Sequence, residues 1–197
     1  MRVVSEDQWK EAVNVLASGG VIVFPTETSY GLGCDATNAA AVARIFAIKG
    51  REAGKGLPVL VSGIDEAKKM VIFSRAAEEL ARKFWPGALN VVAPLIAGFS
   101  LAPGCSENNS QSVRVSSHPT AQKIVSELGR PVVATSANIS GANALYSLEH
   151  VEEMFVQASD HPDLALDAGE LPCVLASTSV RMVGDDVVVL REGSIKI

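Results

Sequence analysis

Hydrophobic positions along the chain fall into short buried runs alternating with amphipathic stretches, the pattern of an α/β fold. Residues 21–24 form an unbroken apolar run of the kind found in a strand covered on both faces; 57–61 read as another buried strand and 89–95 as a further strand. Further strands are predicted at 113–115, 132–135, 175–180 and 187–190. Ser5 and Gln8 read as a capping box opening a helix through Trp9, Val13 and Leu16 to Gly19-Gly20. Asn38 is placed to cap a helix over 39–49, and Asp65 to open another. Ser74 is placed to cap a helix that stops before Pro86-Gly87. Pro119 begins a helix closed by Gly129, and Ser147 caps one reaching about residue 155. Residues 98–111, with Pro103-Gly104 and Asn108-Asn109-Ser110, read as loop. Gly184-Asp185-Asp186 suggests a hairpin and hence some antiparallel pairing. The expectation is a mixed parallel and antiparallel sheet with flanking helices, in one domain over 1–197.

Composition narrows the partners. Hydrophobic residues make up 48% and aromatics only 5% of the 197 residues, which favours layered packing over an aromatic binding platform. A net charge of −5 lacks the basic footprint of a dedicated nucleic-acid binder and favours a small anion held locally. Cys34, Cys105 and Cys173 lie far apart, without the spacing of a disulfide framework or zinc site, and read as reduced thiols. Neither a signal peptide nor an apolar run of about 20 residues is present, so the expectation is a cytoplasmic protein away from the membrane.

Four polar segments follow predicted strands or helices, where α/β folds place ligands. In the run from Phe24 to Gly33, Thr26 and Thr28 offer hydroxyls and Gly31 and Gly33 allow close backbone approach. A turn stabilised by its own hydroxyls explains it equally well. Lys49, Arg51 and Lys55 share eight residues with three glycines; this suits a triphosphate or, alternatively, a solvated basic turn. It is not a Walker A loop, because it follows a helix and its order is wrong. Arg114 lies inside the short strand Val113-Arg114-Val115 and needs a carboxylate there, from the protein or from a ligand. Residues 133–141, with Ser136, Ala137, Asn138 and Gly141, read as a phosphate cradle or as a cap. His118, beside Pro119, is a helix-entry residue or a proton carrier.

Taken in order, these segments resemble the YrdC-domain family. The resemblance rests on Pro25-Thr26-Glu27-Thr28 with Tyr30-Gly31-Leu32-Gly33, Lys49-Gly50-Arg51, Trp85-Pro86-Gly87, Val113-Arg114-Val115 with His118-Pro119, Ser136 to Gly141, Ser177-Thr178, and Leu190-Arg191-Glu192-Gly193. It implies a twisted mixed α/β fold around a large concave cleft. It also implies a threonylcarbamoyl-AMP synthase, a nucleotidyltransferase joining L-threonine, bicarbonate or CO2, and ATP with Mg²⁺. The product would serve threonylcarbamoyladenosine modification of tRNA and pass to downstream tRNA-threonylcarbamoyl-transfer proteins. Weak, local RNA or tRNA binding in the cleft stays open. By the same resemblance Lys49, Arg51, Ser136 and Asn138 form the catalytic signature. Arg51, Lys55, Ser110, Ser136 and Arg191 fall at the ATP, and Thr28, Leu60, Arg114, Ala134 and Ser177 at the threonine; no protein metal ligand is implied. Asn90 stands where relatives usually carry Thr, and Arg181 where they often carry Asp. Rival readings are an RNA-binding module, a carbamoyl-adenylate chemistry as in hydrogenase-maturation proteins, and a paralogue with another substrate.

Overall fold

The computed structural model describes residues 1–51, 56–156, 158 and 160–197. Two mixed sheets carry the fold. The first runs β1 (Arg2–Ser5), β9 (Leu164–Asp167), β2 (Val21–Pro25), β3 (Tyr30–Cys34) and β8 (Thr135–Ser136). The second runs β11 (Asp186–Arg191), β10 (Thr178–Val183), β5 (Leu89–Pro94), β6 (Ser110–Arg114), β4 (Val59–Leu60) and β7 (Val132–Val133). The helices are α1 (Trp9–Ala17), α2 (Ala39–Lys49), α3 (Ile64–Met70), α4 (Arg75–Phe84), α5 (Pro119–Leu128) and α6 (Leu148–Phe155).

Every residue of β2 is buried. Its alternate side chains serve different cores: Val21 and Val23 pack in one cluster, Ile22 and Phe24 in another with Leu16 and Ile124. An all-apolar strand is therefore covered on both faces, as its sequence requires. Helix ends follow the expected chemistry. Asn38 Oδ1 accepts from Ala41 N at 3.1 Å, and α2 ends at Gly50 in the left-handed region (φ 56°). Ser74 and Ser147 cap α4 and α6, and Gly129 (φ 64°) closes α5. β10 and β11 pair antiparallel across Gly184, as the hairpin signal implies.

Several expectations are corrected. Ser5 ends β1 and caps a single 3-10 turn over Glu6–Gln8 by accepting from Asp7 N, while the Gln8 side chain turns to Glu11, so no capping box forms. The run at 57–61 reduces to the two-residue β4, and β6 begins at Ser110, inside the expected loop. Residues 132–135 are not one strand. β7 belongs to the second sheet and β8 to the first, and the chain crosses between sheets at Ala134, whose N–H donates to Pro58 O at 2.9 Å. That crossover and the β2–β3 turn bring the two sheets together around one cleft.

Candidate active site

The cleft encloses about 780 Å³, within the range of small-molecule sites. One side is built on the C-terminus of α2 and the turn after β8. Lys49 is 2% exposed. Its ammonium donates to Ser136 O (2.7 Å), Asn138 O (2.8 Å) and Asn138 Oδ1 (3.0 Å). Ser140 N returns a bond to Lys49 O at 2.9 Å. Asn138 Oδ1 also accepts from the Ser136 hydroxyl at 2.6 Å, and its amide donates to Ala142 O and Asn143 O at 2.5 and 3.0 Å. Lys49, Ser136 and Asn138 thus form one fastened turn, with Lys49 as its pin. Its partners among the described residues are all uncharged oxygens, so burial, reinforced by Arg51, pulls its pKa from 10.5 to about 8. Arg51 lines the cleft just beyond the Gly50 cap.

The other side is the floor of the second sheet. Arg114 is 5% exposed. Its Nη1 donates to Glu27 Oε1 at 2.6 Å and to Ser177 Oγ at 3.0 Å. Burial lowers the guanidinium's pKa, and the Glu27 carboxylate works against that. The second Glu27 oxygen accepts from the Ser116 hydroxyl. Arg114 therefore meets the carboxylate its place in a strand demands, and that carboxylate comes from the protein. Among the described residues no acceptor meets its Nε or Nη2, and Arg114 lines the cleft, so that edge faces the ligand space.

The turn carrying Glu27 is stabilised by its own hydroxyls: Thr26 Oγ1 donates to Ser29 O at 2.7 Å and lies 3.2 Å from the Thr28 hydroxyl. The turn stabilised by its own hydroxyls is the reading observed, and Thr26 and Thr28 also line the cleft. Arg191 Nε donates to Ser177 O at 3.0 Å, and loss of solvation lowers its pKa. Ser110, Ala134, Ser136 and Ser177 line the same space.

Leu60 does not join them. Its side chain is 1% exposed within the cluster holding Ile124 and Val132, because β4 is an interior strand between β6 and β7. Lys55 lies outside the described residues. His118 is a helix-entry residue: its Nδ1 accepts from Thr120 N at 3.3 Å. Cys105 lines the cleft, but burial raises its thiol to about 12, which makes it inert. Sequence reasoning missed Glu27 and Ser116 as site residues; the available signal was a carboxylate between two cleft-facing threonines.

A family model described as "Telomere recombination", covering Sua5, YciO and YrdC proteins, matches residues 14–193. A threonylcarbamoyl-AMP synthase of Psychromonas ingrahamii is 34% identical over 169 residues, 84% of this chain and 87% of that protein. One from Bacillus subtilis is 32% identical over 193 residues, 97% of this chain and 55% of that protein. The structure of Pyrococcus abyssi Sua5 complexed with L-threonine matches with a TM-score of 0.85 at 32% identity, over 98% of this chain and 56% of that one. This chain thus spans a little over half the length of the last two relatives. With the matched segment running through both sheets and both sides of the cleft, the chain belongs to the Sua5/YciO/YrdC family.

Proposed function

We propose that this chain is a threonylcarbamoyl-AMP synthase. The amine of L-threonine adds to the carbon of CO2 drawn from bicarbonate and loses a proton, giving a carbamate. A carbamate oxygen then attacks the α-phosphorus of ATP, the bond to the β-phosphate oxygen breaks, and pyrophosphate leaves. The observation carrying this reading is a single cleft with two differently neutralised cations. Arg114, already paired, keeps one guanidinium edge for a carboxylate, while Lys49 meets only neutral oxygens among the described residues. A relative sharing nearly the whole chain is described in complex with L-threonine, and Arg114 with Ser177 and Thr28 suits the same ligand. Leu60 would contribute through its main chain alone.

The triphosphate belongs between the end of α2 and the strands of the second sheet that carry Ser110 and Arg191. Arg51 and Arg191, with Lys55, supply charge to the phosphates, and Ser110 and Ser136 supply hydroxyls. The fastened Ser136–Asn138 turn fixes where the α-phosphate sits relative to the carbamate, and positioning two short-lived partners in line is a large source of rate. Mg²⁺ arrives as part of the nucleotide substrate, held by the phosphates and water as is usual for that ion. This fits a cleft whose one lining carboxylate among the described residues is Glu107. No helix among the described residues is long and apolar enough to cross a membrane, and we place the enzyme in the cytoplasm. There its product feeds a tRNA-threonylcarbamoyl-transfer protein.

The reaction is tested by incubating the protein with ATP, Mg²⁺, L-threonine and ¹³C-bicarbonate and weighing the product. The expected adenylate carries one ¹³C; an adenylate without that carbon, or none at all, rejects this chemistry.

A further inference from the structure

The floor of the cleft is one face of the second sheet, and strand register fixes where its cations stand. Ser179 of β10 pairs with Asn90 of β5 on one side and with Arg191 of β11 on the other. Two residues further along β10, Arg181 pairs with Val92, which in turn pairs with Ser112 of β6. Same-face neighbours on a strand lie about 7 Å apart. Arg181 lines the cleft together with these residues, one step beyond the row that holds Arg191. Its side chain is exposed, and among the described residues its guanidinium has neither an ion pair nor a hydrogen-bond acceptor, although Asp186 lies diagonally across on β11. An arginine that spends no donor on the protein keeps its whole fork for a ligand.

We infer that Arg181 is a pyrophosphate-binding residue, gripping the leaving half of ATP from the cleft floor. The inference rests on the reaction proposed above, with threonine and the nucleotide both in this cleft. The amino-acid end of the floor is where Ser177 Oγ accepts from Arg114 at 3.0 Å. Attacking and leaving oxygens stand roughly in line across the phosphorus. A carbamate at the Ser177 end therefore sends pyrophosphate the opposite way, and β10 leads from Ser177 past Ser179 to Arg181. The other cations do not cover that stretch. Lys49 spends its three N–H bonds on Ser136 and Asn138, and Arg191 is tied by its Nε to Ser177 O. Arg51 meets the phosphates from the end of α2, so Arg181 closes the clamp from the floor. A planar guanidinium can take two phosphate oxygens at once. Its charge counts most as the bond to the α-phosphorus breaks and negative charge gathers on the leaving oxygen.

The test compares two probes, pyrophosphate and AMP, by calorimetry on the wild type, Arg181→Gln and Arg181→Lys. Arg181→Gln should bind pyrophosphate about tenfold more weakly while its affinity for AMP stays within about twofold of the wild type. Arg181→Lys, which keeps the charge without the fork, should lose less pyrophosphate affinity than Arg181→Gln. Unchanged pyrophosphate binding in Arg181→Gln would overturn the inference. So would a loss confined to AMP, which assigns Arg181 to the adenosine half, or an equal loss for both probes. Should Arg181→Gln not fold, the wild type decides through phenylglyoxal modification mapped by mass spectrometry. Pyrophosphate should shield Arg181 and AMP should leave it reactive; no shielding by pyrophosphate, or equal shielding by both, overturns the proposal. A wild type that binds AMP and threonine but not pyrophosphate rejects this inference alone. One that binds neither nucleotide probe nor ATP removes the reading of the cleft itself.

Discussion

Lys49 and Arg114 are both almost fully buried cations facing one cleft, and the protein neutralises them in opposite ways. Lys49 ends α2 and gives its three N–H bonds to the turn after β8, none of them to a charged group. Arg114 ends β6 and holds a carboxylate delivered by the β2–β3 turn of the other sheet. Neutral oxygens satisfy a lysine's geometry but not its charge, so its pKa falls to about 8 and its proton becomes removable. A carboxylate satisfies the arginine's charge but uses only part of its five donors, leaving an edge for recognition. One cation is a pin whose field extends into the cleft; the other is half of a dipole.

The sharpest way to break this contrast is to remove one member of the charged pair. Arg114→Leu leaves the Glu27 carboxylate buried without its cation and should cost about 3–5 kcal/mol in urea unfolding, with loss of threonine binding. Lys49→Met should cost less stability, about 2 kcal/mol, because it orphans neutral acceptors and relieves a desolvated charge. Its turnover should still fall about a hundredfold, since the signature turn loses its pin. A lysine variant less stable than the arginine variant would contradict the comparison.

pH sharpens it further. The folded-state pKa of Lys49, about 8, lies below its ordinary value of 10.5. Below about pH 8 the lysine is charged in both states and its burial cost is fully present. Between about pH 8 and 10.5 it is neutral when folded and still charged when unfolded, so the cost is relieved by up to about 3 kcal/mol. Turnover should move the other way, falling above pH 8, because a neutral amine has two N–H bonds for three acceptors. A pH–rate profile alongside urea midpoints checks both signs, and Lys49→Arg should lack the step. The smallest effect belongs to Asn90, across the strand from Ser179. Its Oδ1 is buried without a partner among the described residues, while its amide donates to Ser179 Oγ at 3.2 Å. Asn90→Thr should be neutral or stabilising by about 1 kcal/mol in thermal melts.

The parts of the molecule legible in the sequence are those with local causes. Asn38, Ser74, Pro119 with Gly129, and Ser147 each set a helix end through a side chain or backbone conformation encoded on the spot. The elements that were not legible have distant causes. β3 is Tyr-Gly-Leu-Gly-Cys, which looks like a turn; it is a strand because its glycines let neighbours close in. A Cβ on Gly33 would sit 2.5 Å from Val133 O and 2.7 Å from Phe24 Cε1. β1 and β9 exist through parallel pairing with each other, some 160 residues apart in sequence, which no local pattern announces. The site divides the same way. The need of Arg114 for a carboxylate was readable from its strand position, but the identity of that carboxylate depended on how the two sheets meet. Leu60 carried a threonine assignment through resemblance, and the fold buries its side chain away from the cleft.

The most direct test of the account is pyrophosphate release from ATP and Mg²⁺ by the purified protein, with L-threonine and bicarbonate each present or withheld. Release that requires both co-substrates is the predicted result; release indifferent to threonine, or none from folded protein that binds ATP, would contradict it.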